Sequence, residues 1–168
     1  MNESGSRTDR DLEALAALPR GRRLLGFDLG TKTIGLALSD VGRSLATPLE
    51  TIARGKFTRD AGRIAEIVAR YDVGGLVFGL PLNMDGTEGA RAQATHAFIR
   101  NLGRLVPLPV ALWDERLSTA AVTRALIEQD ASRARRAVVV DRMAAAYILQ
   151  GALDRMRVLG SADEDDTA

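Results

Sequence analysis

A chain of 168 residues without cysteine has room for one domain with a core that needs no covalent staples. It excludes a disulfide framework and thiolate metal sites, and no long apolar run follows a basic N-terminus, so a soluble cytoplasmic protein without membrane attachment is expected. The net charge of +1 hides an uneven distribution, because residues 20–160 hold 21 basic and 14 acidic residues between acidic ends; a basic body with embedded acids suits a polyanion-binding, cation-using protein, a generic solvated surface being the plainer reading.

Residues 1–19 read as a flexible extension with at most a helical turn around Leu12, Leu15 and Ala16, ended by Pro19. The apolar Leu24, Leu25 and Phe27, and the alternation of Ile34, Leu36 and Leu38 with Gly35, Ala37 and Ser39, predict a β-hairpin turning near Gly30. In the pleat Leu24, Gly26 and Asp28 share one face, so Asp28 projects from the end of a packed strand. An aspartate there either orients the turn or serves a ligand, and Gly30 and Gly35 would let a phosphate-bearing group approach the backbone. Residues 44–52 form a third extended run, in which Pro48 marks an edge or bulged strand. Residues 59–71 carry a helical stripe of Ala61, Ile64, Ala65, Ile67 and Val68, and residues 74–79 read as a strand covered on both faces, together a βαβ crossover.

A loop over 80–89 leads into a helix over 90–105 with Ala94, Ala97, Phe98 and Leu102 facing the core. Asp85 and Glu88 match a capping-box spacing; the alternative is that free N–H groups at the helix start meet phosphate. His96, the one histidine, lies inside that helix without a second ligand nearby and has a structural or surface role. The strand over 110–114 ends in Asp114, Glu115 and Arg116. Alternation groups Asp114 with Val110 and Leu112, and Glu115 with Ala111 and Trp113, so only one carboxylate can face the crevice of Asp28, and sequence does not choose between them. Ser118 opens a helix through Gln129, residues 131–136 form a linker with Arg133, Arg135 and Arg136, and a last helix runs over 137–157. Its apolar face carries Ala137, Asp141, Ala144, Ala145, Ile148, Ala152 and Met156. A carboxylate in a packed stripe is costly unless paired or metal-bound, and a helix-dipole gain of about 0.3–1 kcal/mol is too small to explain it. Asp141 is therefore expected to hold metal.

Residues 26–37 (GFDLGTKTIGLA), 77–89 (VFGLPLNMDGTEG), 113–119 (WDERLST) and 140–150 (VDRMAAAYILQ) resemble, in order and spacing, the YqgF or RuvX family. Members are described as Holliday junction resolvases or as nucleases that mature the 5′ end of pre-16S rRNA. The resemblance implies an α/β ribonuclease H-like fold related to the RuvC resolvases, a mixed five-stranded sheet with helices on both faces. The nuclease domain would span 20–158, with the flexible extension 1–19 before it and an acidic disordered tail over 159–168. It also implies a catalytic and metal-binding triad of Asp28, Glu115 and Asp141, where the family pattern selects Glu115 and leaves Asp114 in reserve. Such a triad suits Mg²⁺ or Mn²⁺, in a two-metal site with ions about 4 Å apart. Lys32, Arg116, Arg133, Arg135 and Arg136 are candidate phosphate contacts. The implied partners are RNA or branched DNA and the pre-ribosome, with no membrane, for a monomer or homodimer. Two other readings compete. One is a nucleic-acid or ribosome-assembly binder without catalysis; the other is a phosphate-binding module of the actin or Hsp70 type, which would need a second phosphate hairpin that 168 residues do not hold.

Overall fold

A computed structural model describes the backbone of residues 3–117 and 133–165, and the side chains of 7–117 and 142–162. Among the described residues five strands form one sheet in the order β3-β2-β1-β4-β5. The strands β1 (Arg23–Leu29), β2 (Thr33–Ser39) and β3 (Ala46–Ala53) make an antiparallel meander, while β4 (Val73–Leu80) runs parallel to β1 and β5 (Val110–Asp114) parallel to β4. Pro48 lies where its missing N–H does least harm. It sits on edge strand β3, beside a register shift that pairs Leu36 with Glu50 and Ala37 with Pro48.

Each face of the sheet is covered by helices. On one face Leu25, Phe27, Ile34, Leu36, Leu76 and Phe78 pack under α2 (Phe57–Arg70) and α3 (Ala90–Leu102), and the Phe27 and Phe78 rings stack at 4.1 Å. Helix α3 turns Ala92, Thr95, Phe98 and Leu102 inward, while the expected core residue Ala94 is exposed. The Thr95 hydroxyl is satisfied by donating to the Arg91 carbonyl at 3.0 Å, which lets a polar side chain occupy that face.

The opposite face carries Leu24, Ala37, Val77, Ala111 and Trp113 beneath α1 (Glu3–Ala16) and the long final helix α4 (Arg133–Asp165). The anticipated stripe of Ala144, Ala145, Ile148, Ala152 and Met156 is buried, joined by Leu149 and Leu153. Helix α4 begins at Arg133, within the expected linker, and continues to Asp165, through most of the segment expected to be a disordered tail. The expected helix from Ser118 through Gln129 lies outside the described residues.

The N-terminal segment also departs from expectation. Instead of a weakly ordered extension it is a helix with Leu12 and Leu15 fully buried against the sheet. Burial contributes roughly 1.5–3 kcal/mol for each such side chain. Asp9 accepts two hydrogen bonds from Arg155 at 2.7 and 3.0 Å, tying α1 to α4. Arg43 closes the other end by donating to the carbonyls of Ala16, Leu18, Pro19 and Arg22. The Ala16 carbonyl is one that the helix terminus otherwise leaves to solvent, and the other three belong to the turn that leads into β1.

Candidate active site

The site is built where β1, β4 and β5 end. Asp28, the penultimate residue of β1, shares its face with Leu24, which packs in the α4 layer, and is 1% exposed. A carboxylate withdrawn so far from water costs several kcal/mol unless bonds or a cation compensate it, and such positions mark functional sites. Helix α4 comes close above β1 because position 26 is glycine: a Cβ there would meet Leu149 Cβ at 2.7 Å and the Ala145 carbonyl at 3.2 Å.

Glu115 follows β5 in a short 3-10 turn (Glu115–Leu117). Ala111 and Trp113 face α4, so the pleat carries Glu115 to that side, and the structure places it over Gly79. A Cβ at position 79 would lie 2.8 Å from Glu115 Oε1 and 2.5 Å from Ile148 Cδ1. The sheet register ends Phe27–Phe78 on one side of β4 and pairs Gly79 with Trp113 on the other. Asp28 and Glu115 therefore flank a strand end that bears no side chain, on one face, beneath α4. The choice that alternation left open is decided by which face α4 covers.

Asp114 points elsewhere. It receives the Arg116 guanidinium through Nε at 3.0 and 3.1 Å and Nη2 at 2.7 Å, and its Oδ1 accepts from the Arg116 backbone N–H at 3.0 Å. The same guanidinium donates through Nη1 to the Met84 carbonyl at 3.2 Å. Asp114 and Arg116 thus form a clamp between the end of β5 and the loop after β4, with Glu115 held between them. The carboxylate beside Arg116 keeps that guanidinium's pKa raised. Arg116 is committed to this clamp rather than held out towards phosphate.

The loop after β4 is a small hairpin of its own. Leu82 bridges Glu88, Asn83 N–H donates to the Thr87 carbonyl at 2.9 Å, and Asp85 Oδ1 accepts from the Thr87 hydroxyl at 2.6 Å and N–H at 3.0 Å. Those bonds hold the Asp85 carboxyl below the usual carboxylate range. The expected capping box is not formed: α3 has Gly89 at its N-cap with no side-chain cap bond. Asp85 closes an Asx turn two residues on, a shorter loop than reaching the helix would need. Glu88 instead binds His96 Nε2 at 3.0 Å and Gln93 Nε2 at 3.2 Å. The histidine thus stands on α3, bonded to Glu88 of the preceding loop, away from the α4 face.

Lys32 is exposed on the β1–β2 turn. Arg54, which sequence reading passed over, stands beside that turn, its Nη1 donating to the Gly30 carbonyl at 2.6 Å and its guanidinium 5.6 Å from the Phe98 ring centroid. No motif marks Arg54; only the return of β3 alongside β2 brings it here. Asp60 is a second buried carboxylate, 2% exposed, but it accepts from Gly55 N–H at 3.0 Å and pairs with Arg59 at 3.1 Å, a local loop closure far along the chain from the acidic motifs. Asp141, Arg133, Arg135 and Arg136 belong to α4, and their side chains lie outside the described residues. Asp141 is one helical turn before Ala145, whose carbonyl lies above Gly26.

A family model described as "RuvX: Holliday junction resolvase" matches residues 22–155. The "Putative pre-16S rRNA nuclease" of Methylocella silvestris is 67% identical over 136 residues, covering 81% of this chain and 84% of that one. The protein of the same name from Roseobacter denitrificans is 60% identical over 154 residues, covering 90% and 94%. Among solved structures, T. thermophilus RuvC in complex with Holliday junction substrate superposes with a TM-score of 0.51 at 16% identity, covering 80% of this chain and 96% of that one. The yeast mitochondrial resolvase Ydc2 gives 0.51 at 12% identity, covering 94% and 87%. The fold is thus ribonuclease H-like, and by the span of the family model and the identity to its relatives the chain belongs to the RuvX family.

Proposed function

We propose that the chain is a divalent-metal-dependent nuclease that hydrolyses phosphodiester bonds of structured RNA, with the 5′ region of pre-16S rRNA as its substrate. The observation that carries this reading is the pair Asp28 and Glu115 on one sheet face, either side of the bare strand end at Gly79. Relatives that are 60–67% identical bear the name of an rRNA nuclease, which favours RNA over branched DNA.

The donor set fits Mg²⁺ or Mn²⁺. Hard carboxylate oxygens, without cysteine or histidine at the site, suit a hard cation. Asp28, Glu115 and Asp141 would hold the metal; among the described residues no group of three possible ligands occurs, and the Asp141 side chain lies outside them. Bound there, a pair of divalent ions would supply Lewis acidity to activate water and to neutralise charge on the leaving 3′-oxygen. The protein's own part is positional. Asp28 is fixed by the packed end of β1, and Glu115 by the Asp114–Arg116 clamp and by contact with Gly79. With His96 on the other side of the sheet, no imidazole is placed to act as general base.

Lys32, exposed on the β1–β2 turn that follows Asp28, and Arg133, Arg135 and Arg136, which open α4, would supply the phosphate contacts that orient a strand without reading its sequence. Among the described residues no helix is long and apolar enough to cross a membrane. A cytoplasmic monomer or homodimer working on the pre-ribosome completes the proposal.

The test is cleavage of an end-labelled 16S-precursor RNA beside a four-way DNA junction, each with Mg²⁺, Mn²⁺ or EDTA. Metal-dependent cleavage of the RNA is expected. Cleavage of the junction alone would move the substrate to branched DNA, and binding of either without cleavage would leave a non-catalytic binder.

A further inference from the structure

Beyond the carboxylates, on the α3 side of the same strand ends, lies a cavity of about 440 Å³ at the β5 edge of the sheet. Its apolar wall is made by Leu80, Leu82, Ile99, Val110 and Leu112, and its mouth by Glu88 and His96 with Arg7 and Asp11 of α1. Neither the catalytic carboxylates nor the clamp uses it. Its lining is divided about evenly between apolar and polar groups, and its volume lies in the size range of small-molecule ligand pockets.

We propose that this cavity receives an unpaired nucleobase of the RNA substrate, one that carries an exocyclic amino group. The inference rests on the nucleic-acid substrate proposed above and adds to it a subsite with its own selectivity. Three observations support it. The first is place: Leu80 pairs in register with Asp114, the residue before Glu115, so cavity and carboxylates occupy opposite sides of one strand end. A nucleotide crossing the tip of β5 can leave its phosphate on the α4 side and turn its base over the edge.

The second is shape. The aliphatic side of the cavity offers apolar surface to the face of a splayed-out base, and sequence-selective RNA recognition targets the unstacked bases of single-stranded segments. The third is chemistry. Glu88 is an acceptor without a donor of its own, oriented by His96 Nε2 at 3.0 Å and Gln93 Nε2 at 3.2 Å, and each carboxylate oxygen retains a second lone pair. It therefore selects a base that presents N–H₂, as cytosine and adenine do, over uracil, which presents O4 at the same position. Arg7 at the mouth provides a cation for the sugar-phosphate, with Asp11 beside it.

The test uses the chain's single histidine. The full-length protein, isotope-labelled at histidine, is titrated with cytidine, adenosine and uridine 5′-monophosphates and with ribose 5-phosphate, following the His96 imidazole resonance. Cytidine and adenosine monophosphates should move that resonance saturably and bind about tenfold or more tighter than uridine monophosphate, as one discriminating base contact provides. Ribose 5-phosphate should leave it in place. In Glu88→Gln, a surface substitution that adds an amide donor, the preference for amino-bearing bases should disappear. The proposal is overturned if no nucleotide moves the resonance, if ribose 5-phosphate moves it equally, if uridine binds as tightly as the others, or if Glu88→Gln keeps the preference. The outcome is separable from the nuclease reading. A protein that cleaves RNA while His96 stays unmoved lacks this pocket, whereas one that binds these nucleotides selectively and cleaves nothing keeps it and loses the nuclease assignment.

Discussion

At the scale of residues, two adjacent carboxylates separated by a half-turn of pleat have different surroundings. Glu115 contacts the bare strand end at Gly79, and Asp114 is occupied by Arg116. Asp28→Asn, Glu115→Gln and Asp141→Asn should each bring hydrolysis to background without lowering the metal-free melting temperature, since removing one acid relieves repulsion among its neighbours. Asp114→Asn should differ: it loosens the clamp, costing about 10–100-fold in rate as partners behind metal ligands do, and lowers the melting temperature. Parallel thermal melts and cleavage assays separate the two patterns, and a fully active Glu115→Gln would return Asp114 from reserve. Gly79→Ala is expected to destabilise the chain by about 1–3 kcal/mol, because its methyl must displace Glu115 and Ile148; denaturant titration measures it. The sequence shows that acids stand at the ends of β1 and β5. It does not show which acid faces Asp28, because alternation gives parity and only the docking of α4 gives the side.

At the scale of elements, the hairpin, the bulged edge strand at Pro48 and the buried stripe of α4 were legible because each follows from local period or backbone chemistry. Helix α1 was not. Its apolar positions are too few for a helical stripe on their own, and Leu12 and Leu15 gain their partners only from β5, α4 and the floor of the sheet, distant in sequence. The same holds for the loop after β4, where a capping-box spacing lost to a closer Asx turn. Leu15→Ala should cost about 2–5 kcal/mol if α1 is part of the core, whereas a flexible extension would show no change in denaturant midpoint. The tie between Asp9 and Arg155 adds a pH signature. The hydrogen-bonded guanidinium lowers the Asp9 pKa in the folded chain, so its stabilisation is present above the unfolded carboxylate value of about 3.9. It is lost as pH falls through the lower folded value. Both partners are partly exposed, which limits the contribution to about 1 kcal/mol or less. Asp9→Asn should therefore narrow the stability gap between pH 6 and pH 3, measured by thermal melts.

At the scale of the molecule, residues 20–160 carry 21 basic against 14 acidic residues, an excess that on the proposed reading would gather phosphate. RNA binding should weaken steeply with salt, in a linear log–log plot whose slope counts the phosphates neutralised; a flat plot would remove the electrostatic footprint. The most direct test of the central claim is a cleavage time course of 16S-precursor RNA by the wild-type chain and Asp28→Asn, each with Mg²⁺ and with EDTA. Cleavage by the wild type with Mg²⁺ alone, and by Asp28→Asn in neither condition, is the predicted result; cleavage that persists in EDTA or survives the loss of Asp28 would contradict it.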